Sequence, residues 1–164
     1  MIDNATLIDS QRSTIKQLCI RLLANREHSK KELLNKLLAK GFQEESVISV
    51  IENLALEGWQ SDLRYAESYT RYRILKGYGP SYINYELKKN GINQFDLESV
   101  VIKTAGSWLD LAEKVYLKKY DDQTCLERNE WAKRSRFLMQ RGFTSNTINI
   151  LFDHLNIKFL GTRG

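Results

Sequence analysis

Reaction chemistry needs side chains that hold, move or donate charge at a fixed point, and this chain offers few of them in a usable pattern. Its 164 residues contain two histidines. His28 stands beside Arg26 and Glu27 at an expected helix end, where a cap or a solvated ring is anticipated, and His154 falls in the last expected helix without an evident nucleophile. The two cysteines, Cys19 and Cys125, are far apart and lack the C-x-x-C spacing of a zinc or redox site, so each is expected to act as a small buried hydrophobe. The acidic pairs Glu44-Glu45 and Asp121-Asp122 fall at expected helix starts or in loops, where they complement the helix dipole or stay solvated. The stretch Lys76-Gly77-Tyr78-Gly79-Pro80 lacks the G-x-x-x-x-G-K-[ST] pattern that cradles phosphates. It reads as a helix break, with Gly79 closing one helix and Pro80 preset for the first turn of the next. The sequence thus predicts no catalytic residue, no metal site and no cofactor, and the chain is not expected to be an enzyme.

Binding chemistry is easier to place. The formal net charge is +5, and the excess lies beyond the first third: residues 1–62 carry −1, residues 63–102 carry +2 and residues 103–164 carry +4. A polyanionic partner, nucleic acid or an acidic protein groove, fits that balance. Six of the eight tyrosines fall between Asp62 and Lys89 (Tyr65, Tyr69, Tyr72, Tyr78, Tyr82 and Tyr85), interleaved with Arg64, Arg71, Arg73, Lys76, Lys88 and Lys89. Tyr65, Tyr69 and Tyr72 share one helix face and are expected in the core, which leaves Arg71, Arg73 and Lys76 exposed. Such a surface combines the planar, bidentate contacts of arginine with the contact area of tyrosine.

The elements that must carry these residues are helices. One proline and nine glycines leave little punctuation, and polar/apolar alternation nowhere persists over strand length. Three windows place apolar residues at i, i+3, i+4, i+7 and i+8: from Ile15 to Leu23, from Val47 to Ala55 and from Trp108 to Tyr116. Ser29 with Glu32 and Thr124 with Glu127 have capping-box spacing, and Asn93 and Thr144 read as simpler N-caps. Mean hydropathy is −0.45, with no apolar run of bilayer length. The opening MIDNATLIDSQRST lacks the features of a secretory signal, which predicts a cytoplasmic, non-membrane protein.

A repeat underlies the helices. Gly41, Gly91 and Gly142 recur 50 and 51 residues apart, each where a helix is expected to end with a left-handed residue. Leu37, Leu87 and Leu138 stand four residues before them; Phe42, Ile92 and Phe143 one residue after; Val47, Leu97 and Ile148 six after; Val50, Val100 and Leu151 nine after. With a further helix before each pair, near 11–25, 61–77 and 106–120, the chain reads as all-α: three tandem three-helix repeats at residues 10–57, 58–104 and 105–156, then a tail at 157–164. Units this small bury little alone, so they are expected to stack into an elongated, curved body.

Several stretches resemble the RecX family, bacterial regulators of the RecA recombinase. They are Leu22-Leu23-Ala24-x-Arg26-Glu27-x-Ser29-x-x-Glu32-Leu33, Lys40-Gly41-Phe42, Asp62-x-Arg64-Tyr65-Ala66, and Lys76-Gly77-x-Gly79-Pro80-x-x-Ile83-x-x-Glu86-Leu87-x-x-x-Gly91-Ile92. The resemblance runs from about Leu18 to Leu155. It departs at Trp59-Gln60-Ser61-Asp62, where the family more often has a Tyr-Leu-Asp-Asp-like turn, and at Ser81-Tyr82, which replaces a commonly basic residue. It implies a curved protein of three-helix repeats without enzymatic activity. Such a protein acts as a monomer, lies in the groove of the RecA filament on single-stranded DNA, and inhibits or modulates its ATPase, strand-exchange and co-protease activities in recombination, repair and the SOS response. On that reading the partner surface centres on Arg64, Arg71, Arg73 and Lys76 on the concave side. Arg26 and Lys30 from the first repeat, with Lys133, Arg134 and Arg136 from the third, are candidates to extend it. The competing expectation is a direct DNA-binding module of helix-turn-helix-like repeats, and weak DNA contact is compatible with either.

Overall fold

Several helices, those opening at Ser29, Ser61, Asp96, Ser107 and Thr144, start where a short polar side chain takes up a free backbone N–H, and most end where a glycine can turn left-handed. The computed structural model describes residues 1–161, and among them the chain forms nine helices. These are α1 (Asn4–Asn25), α2 (Lys30–Ala39), α3 (Glu44–Leu56), α4 (Asp62–Leu75), α5 (Pro80–Lys89), α6 (Leu97–Ala105), α7 (Trp108–Lys119), α8 (Arg128–Gln140) and α9 (Ser145–His154). Two short strands, β1 (Cys125–Leu126) and β2 (Lys158–Phe159), pair in parallel. Their pairing orders the start of the expected tail together with Ile157, which is buried; residues 162–164 of that tail lie outside the described residues.

The three glycine turns share one hydrogen-bond pattern. Gly41, Gly91 and Gly142 have φ of +90°, +86° and +94°. At each, the residue after the glycine donates its N–H to the leucine four before the glycine: Phe42 to Leu37 (3.4 Å), Ile92 to Leu87 (2.8 Å) and Phe143 to Leu138 (3.1 Å). This is the Schellman closure, which satisfies carbonyls that the helix end leaves free. The same closure recurs at Gly58 and Gly77, through Trp59 to Leu54 and Tyr78 to Arg73.

The capping expectations divide. Ser29 and Glu32 form the reciprocal capping box of α2, and Thr144 accepts from Thr147 N–H at the start of α9. Asn93 does not cap α6; Asp96 does, because the chain runs extended for several residues beyond Gly91 before turning helical. Thr124 and Glu127 form no box: Thr124 leads into β1, where its carbonyl accepts from Lys158 N–H (2.6 Å), and that pairing holds it extended. The same strand leaves Cys125 exposed, against the expectation of burial, while Cys19 is buried and its thiol pKa is pushed up to about 11 by desolvation.

The chain divides into two compact units. The first comprises Met1–Ser68 and Leu87–Phe95, with a core of Ile15 and Cys19 from α1, Leu33 and Leu37 from α2, and Val47, Val50, Ile51 and Leu54 from α3. Burying a residue of this kind contributes roughly 1.5–3 kcal/mol. The second comprises Tyr69–Glu86 and the chain from Asp96 on; α7 and α9 pack there through Leu111, Tyr116, Leu151 and Phe152, with the Tyr116 and Phe152 rings edge-on at 5.7 Å. Among the described residues no helix is long and apolar enough to cross a membrane, and no group of His, Cys, Asp and Glu could hold a metal ion.

Candidate functional site

The second half of α4 carries the densest arrangement of cations and aromatic rings. Its buried seam runs through Tyr65, Ala66, Thr70 and Ile74, so Arg71, Tyr72 and Lys76 point elsewhere and are exposed. Tyr72 was expected in the core with Tyr65 and Tyr69; it is instead 53% exposed, and Tyr69 is only half-buried. Tyr65 is buried as expected, and the seam continues through Thr70 and Ile74, four residues apart, rather than through Tyr69 and Tyr72.

Arg73 organises the surroundings. Its guanidinium lies 5.3, 5.6, 5.2 and 5.4 Å from the ring centroids of Tyr69, Tyr72, Tyr78 and Tyr82, and its Nε donates to Tyr69 Oη at 2.9 Å. Such contacts favour the cation over a ring face. Burial disfavours the Arg73 charge, but the Tyr69 hydrogen bond and the surrounding phenols outweigh it and lift the pKa above the ordinary arginine value. Desolvation likewise raises the Tyr69 phenol. Tyr78 and Tyr82 stack with centroids 4.3 Å apart, and Arg141 lies 4.9 Å from the Tyr78 ring while donating from Nη1 to the Lys76 carbonyl (3.1 Å). Lys76 Nζ lies 5.7 Å from the Tyr72 ring. Arg73 is therefore a brace, and Arg71, Tyr72 and Lys76 are the groups presented to solvent. Tyr78 and Tyr82 belong to the expected tyrosine-rich stretch, but Arg141 was not anticipated beside them, since nothing in the spacing links residue 141 to residue 76.

The expected cations of the first unit are each engaged. Arg64 pairs with Glu27 (2.9 Å) and donates to the Gly58 and Trp59 carbonyls (2.9 and 3.2 Å), so it also braces the turn before α4. Arg26 pairs with Glu32 and Lys30 with Glu52, both at 3.2 Å. The Arg64–Glu27 and Lys30–Glu52 pairs are partly exposed and worth about 0–1 kcal/mol each, whereas Glu32 is held in the α2 capping box. On α8, Lys133 and Arg136 are exposed, Lys133 lying 3.6 Å from Glu130. Arg134 is not on that exposed face: it is 4% exposed and bonded to Tyr116, Asp121 and Glu130, because α8 turns this position inward toward α7.

His28 departs from the solvated ring expected of it. It is 3% exposed; its Nδ1 lies 3.1 Å from the Arg26 carbonyl, and its own carbonyl accepts from Gln60 Nε2 at 3.2 Å. Burial lowers its pKa below the usual 6.5. The unfolded chain then binds the proton more readily than the folded one, so the neutral ring's contribution is fully present above pH 6.5 and is lost as pH falls below it. His28→Gln is expected to flatten the dependence of urea-unfolding stability on pH between 7 and 5; an unchanged slope would show that the ring titrates alike in the folded and unfolded chains. His154 is exposed, with Nε2 3.5 Å from Glu113.

Three family models of RecX match the chain in order: the first three-helix domain at residues 16–54, the second at 61–100 and the third at 108–151. The second covers Arg64, Arg71, Arg73 and Lys76. The chain belongs to the RecX family. The "Regulatory protein RecX" of Legionella pneumophila (strain Corby) is 37% identical over 141 residues, covering 86% of this chain and 94% of the relative. That of Xanthomonas campestris pv. campestris (strain B100) is 35% identical over 134 residues, covering 82% and 83%. A crystal structure of regulatory protein RecX superposes with a TM-score of 0.74 at 25% identity, covering 93% of this chain and 79% of the other. RecX from Lactobacillus salivarius superposes at 0.72 with 23% identity, covering 92% and 99%. The RecX fold is thus all-α in this chain, built of three three-helix domains.

Proposed function

We propose that this RecX-family regulator acts by binding the RecA filament on single-stranded DNA, without catalysing a reaction, and that it inhibits or modulates the filament's ATPase, strand-exchange and co-protease activities. The observation that carries this reading is the exposed Arg71, Tyr72 and Lys76 face of α4, set on a platform of tyrosines cross-linked by Arg73 and Arg141. The Tyr72 ring, 5.7 Å from Lys76 Nζ, holds that long cationic side chain at a lower ordering cost than a bare helix surface would. Arg64, Arg26 and Lys30 in the first unit, and Lys133 and Arg136 on α8, are further contacts in this reading. Arg134 contributes by holding α8 in place.

The test is RecA ATPase on single-stranded DNA with and without the chain. A lower or altered rate supports the reading; an unchanged rate, with the chain bound to bare DNA and released steeply by salt, favours direct DNA binding instead. The surface itself is tested by the double reversal Arg71→Glu with Lys76→Glu, which spares Arg73. Helical content and melting temperature are expected to stay near those of the parent, while filament binding at about 0.15 M salt weakens more than tenfold, or about 1.4 kcal/mol. Binding equal to the parent's would place the interface elsewhere.

A further inference from the structure

Apart from the tyrosine platform, the second unit contains a cavity of about 450 Å³, framed by the ends of α4 and α6, by α7 and by α8. Its wall is aliphatic, from Leu75, Leu111 and Val115. Five cations surround it: Lys76, Lys114, Lys118, Lys119 and Arg141. One carboxylate, Asp110, lies in the lining and accepts from the Ser107 hydroxyl at 2.9 Å. Among the described residues neither Lys114 nor Lys118 is paired with a carboxylate, and both are exposed one helical turn apart on α7.

We infer that this cavity binds an acidic segment of a protein partner, taking one bulky apolar side chain of that segment inside while its carboxylates meet Lys114, Lys118 and the neighbouring cations. The volume lies within the range of about 300–1,000 Å³ typical of pockets that enclose a ligand group, and an apolar anchor in such a pocket ringed by charge is the usual form of a strong protein contact. Charge complementarity selects an acidic segment, since five cations line the cavity against the single carboxylate of Asp110. Single-stranded nucleic acid fits less well. Its sites depend on open aromatic faces for base stacking. The aromatic ring in this lining, Phe137, is covered by Lys119 Nζ at 4.0 Å and flanked by the Arg141 guanidinium at 5.5 Å. The inference deepens the filament-binding reading and rests on it only for which protein supplies the segment.

The experiment uses the full chain and a fluorescein-labelled short peptide of aspartate and glutamate with one central phenylalanine. A matched peptide with alanine at the centre and an oligothymidylate of equal charge serve as comparisons, all read by fluorescence anisotropy at about 0.15 M salt. The phenylalanine peptide is expected to bind about tenfold more tightly than the alanine peptide. Its binding is expected to fall about tenfold both in Thr104→Trp, which fills the cavity, and in the double variant Lys114→Glu with Lys118→Glu. Circular dichroism identifies any variant that fails to fold, and if the cavity-filling variant does, the surface double variant decides between binding and its absence. The inference is overturned if no peptide binds, if the two peptides bind alike, if the folded variants bind as the parent does, or if the oligothymidylate alone loses affinity in them. Peptide binding by a chain that leaves RecA ATPase unchanged upholds the cavity and removes the filament reading, so the two stand or fall separately.

Discussion

Gly142→Ala is expected to cost about 3–4 kcal/mol, whereas the same substitution at Gly41 should cost about 1–2 kcal/mol, although both glycines close the same kind of turn. The shared part is backbone strain: φ is +94° at Gly142 and +90° at Gly41, a region that a side chain resists. The difference is what the added methyl meets. At Gly41 nothing lies within 4 Å; at Gly142 a Cβ would stand 2.5 Å from both the Cβ and the backbone nitrogen of Tyr82. The α5 start and the α8 end are backbone to backbone here, with Gly79 N–H donating to the Arg141 carbonyl (2.7 Å) and Ser81 N–H to the Gly142 carbonyl (2.9 Å). Neither side of that contact can move without losing its bond. Gly91 falls between, because its Cβ would meet the Lys31 side chain at 3.1 Å. Gly79→Ala isolates the steric share. Gly79 lacks the positive φ of the other turns, yet a Cβ would lie 2.6 Å from the Gly142 carbonyl carbon and oxygen. Urea unfolding of the four variants should rank Gly41 least costly and Gly142 most. Equal losses at Gly41 and Gly142 would mean that the α5–α8 approach is looser than described.

What the sequence reveals about this fold follows from how local each signal is. A Schellman turn needs a residue tolerant of positive φ and two apolar neighbours at fixed offsets, so Gly41, Gly91 and Gly142 with their leucines could be read directly. The Ser29–Glu32 box lies within one helical turn and was equally legible. Thr124 and Glu127 have the same spacing, but a hydrogen bond from Lys158, far along the chain, holds Thr124 in an extended conformation. No local pattern records that. The surface was half legible for a similar reason. Helical periodicity separates Arg71 and Lys76 from the buried seam and places Tyr65 in it, but Tyr72 was misassigned: it is large and apolar enough for a core, yet it lies beside the Arg73 guanidinium. Arg73 and Arg71 lie two positions apart, yet the first holds rings together while the second is exposed. That distinction depends on Tyr78 and Tyr82, which enter from beyond the Gly77 turn.

Arg134 gives the second large effect, and it separates a structural cation from a binding one. Its side chain is 5% exposed, against 66% for Asp121 and 41% for Glu130, so the pair carboxylates remain solvated if the arginine is removed. The loss is then concentrated on the arginine's own contacts. Nη1 donates to Tyr116 Oη at 2.9 Å, and Tyr116 is buried, so its hydroxyl would be left without this partner; the guanidinium also lies 4.6 Å from the Tyr120 ring centroid. Burial alone would lower the arginine pKa, but the hydrogen bonds it donates to Tyr116, Glu130 and Asp121 outweigh it and raise the pKa above the ordinary value, so the site is built around the cation. Losing a buried, charge-assisted hydrogen bond costs about 1.5–3 kcal/mol, and the emptied volume adds to it, so Arg134→Ala is expected to cost about 3 kcal/mol. Arg134→Met refills the apolar volume and should cost less, about 2 kcal/mol, the part due to the hydrogen bonds. Arg134→Lys should recover little over methionine, because an ammonium cannot reproduce a planar fork reaching three partners. An exposed basic residue would instead change stability by no more than about 0.5 kcal/mol in any of these variants. The reversals Lys133→Glu and Arg136→Glu are expected to behave in that way, leaving the melting temperature unchanged while weakening filament binding. If Arg134→Ala melts with the parent but loses filament binding, Arg134 faces the partner, and α8 must turn this position outward when it is engaged.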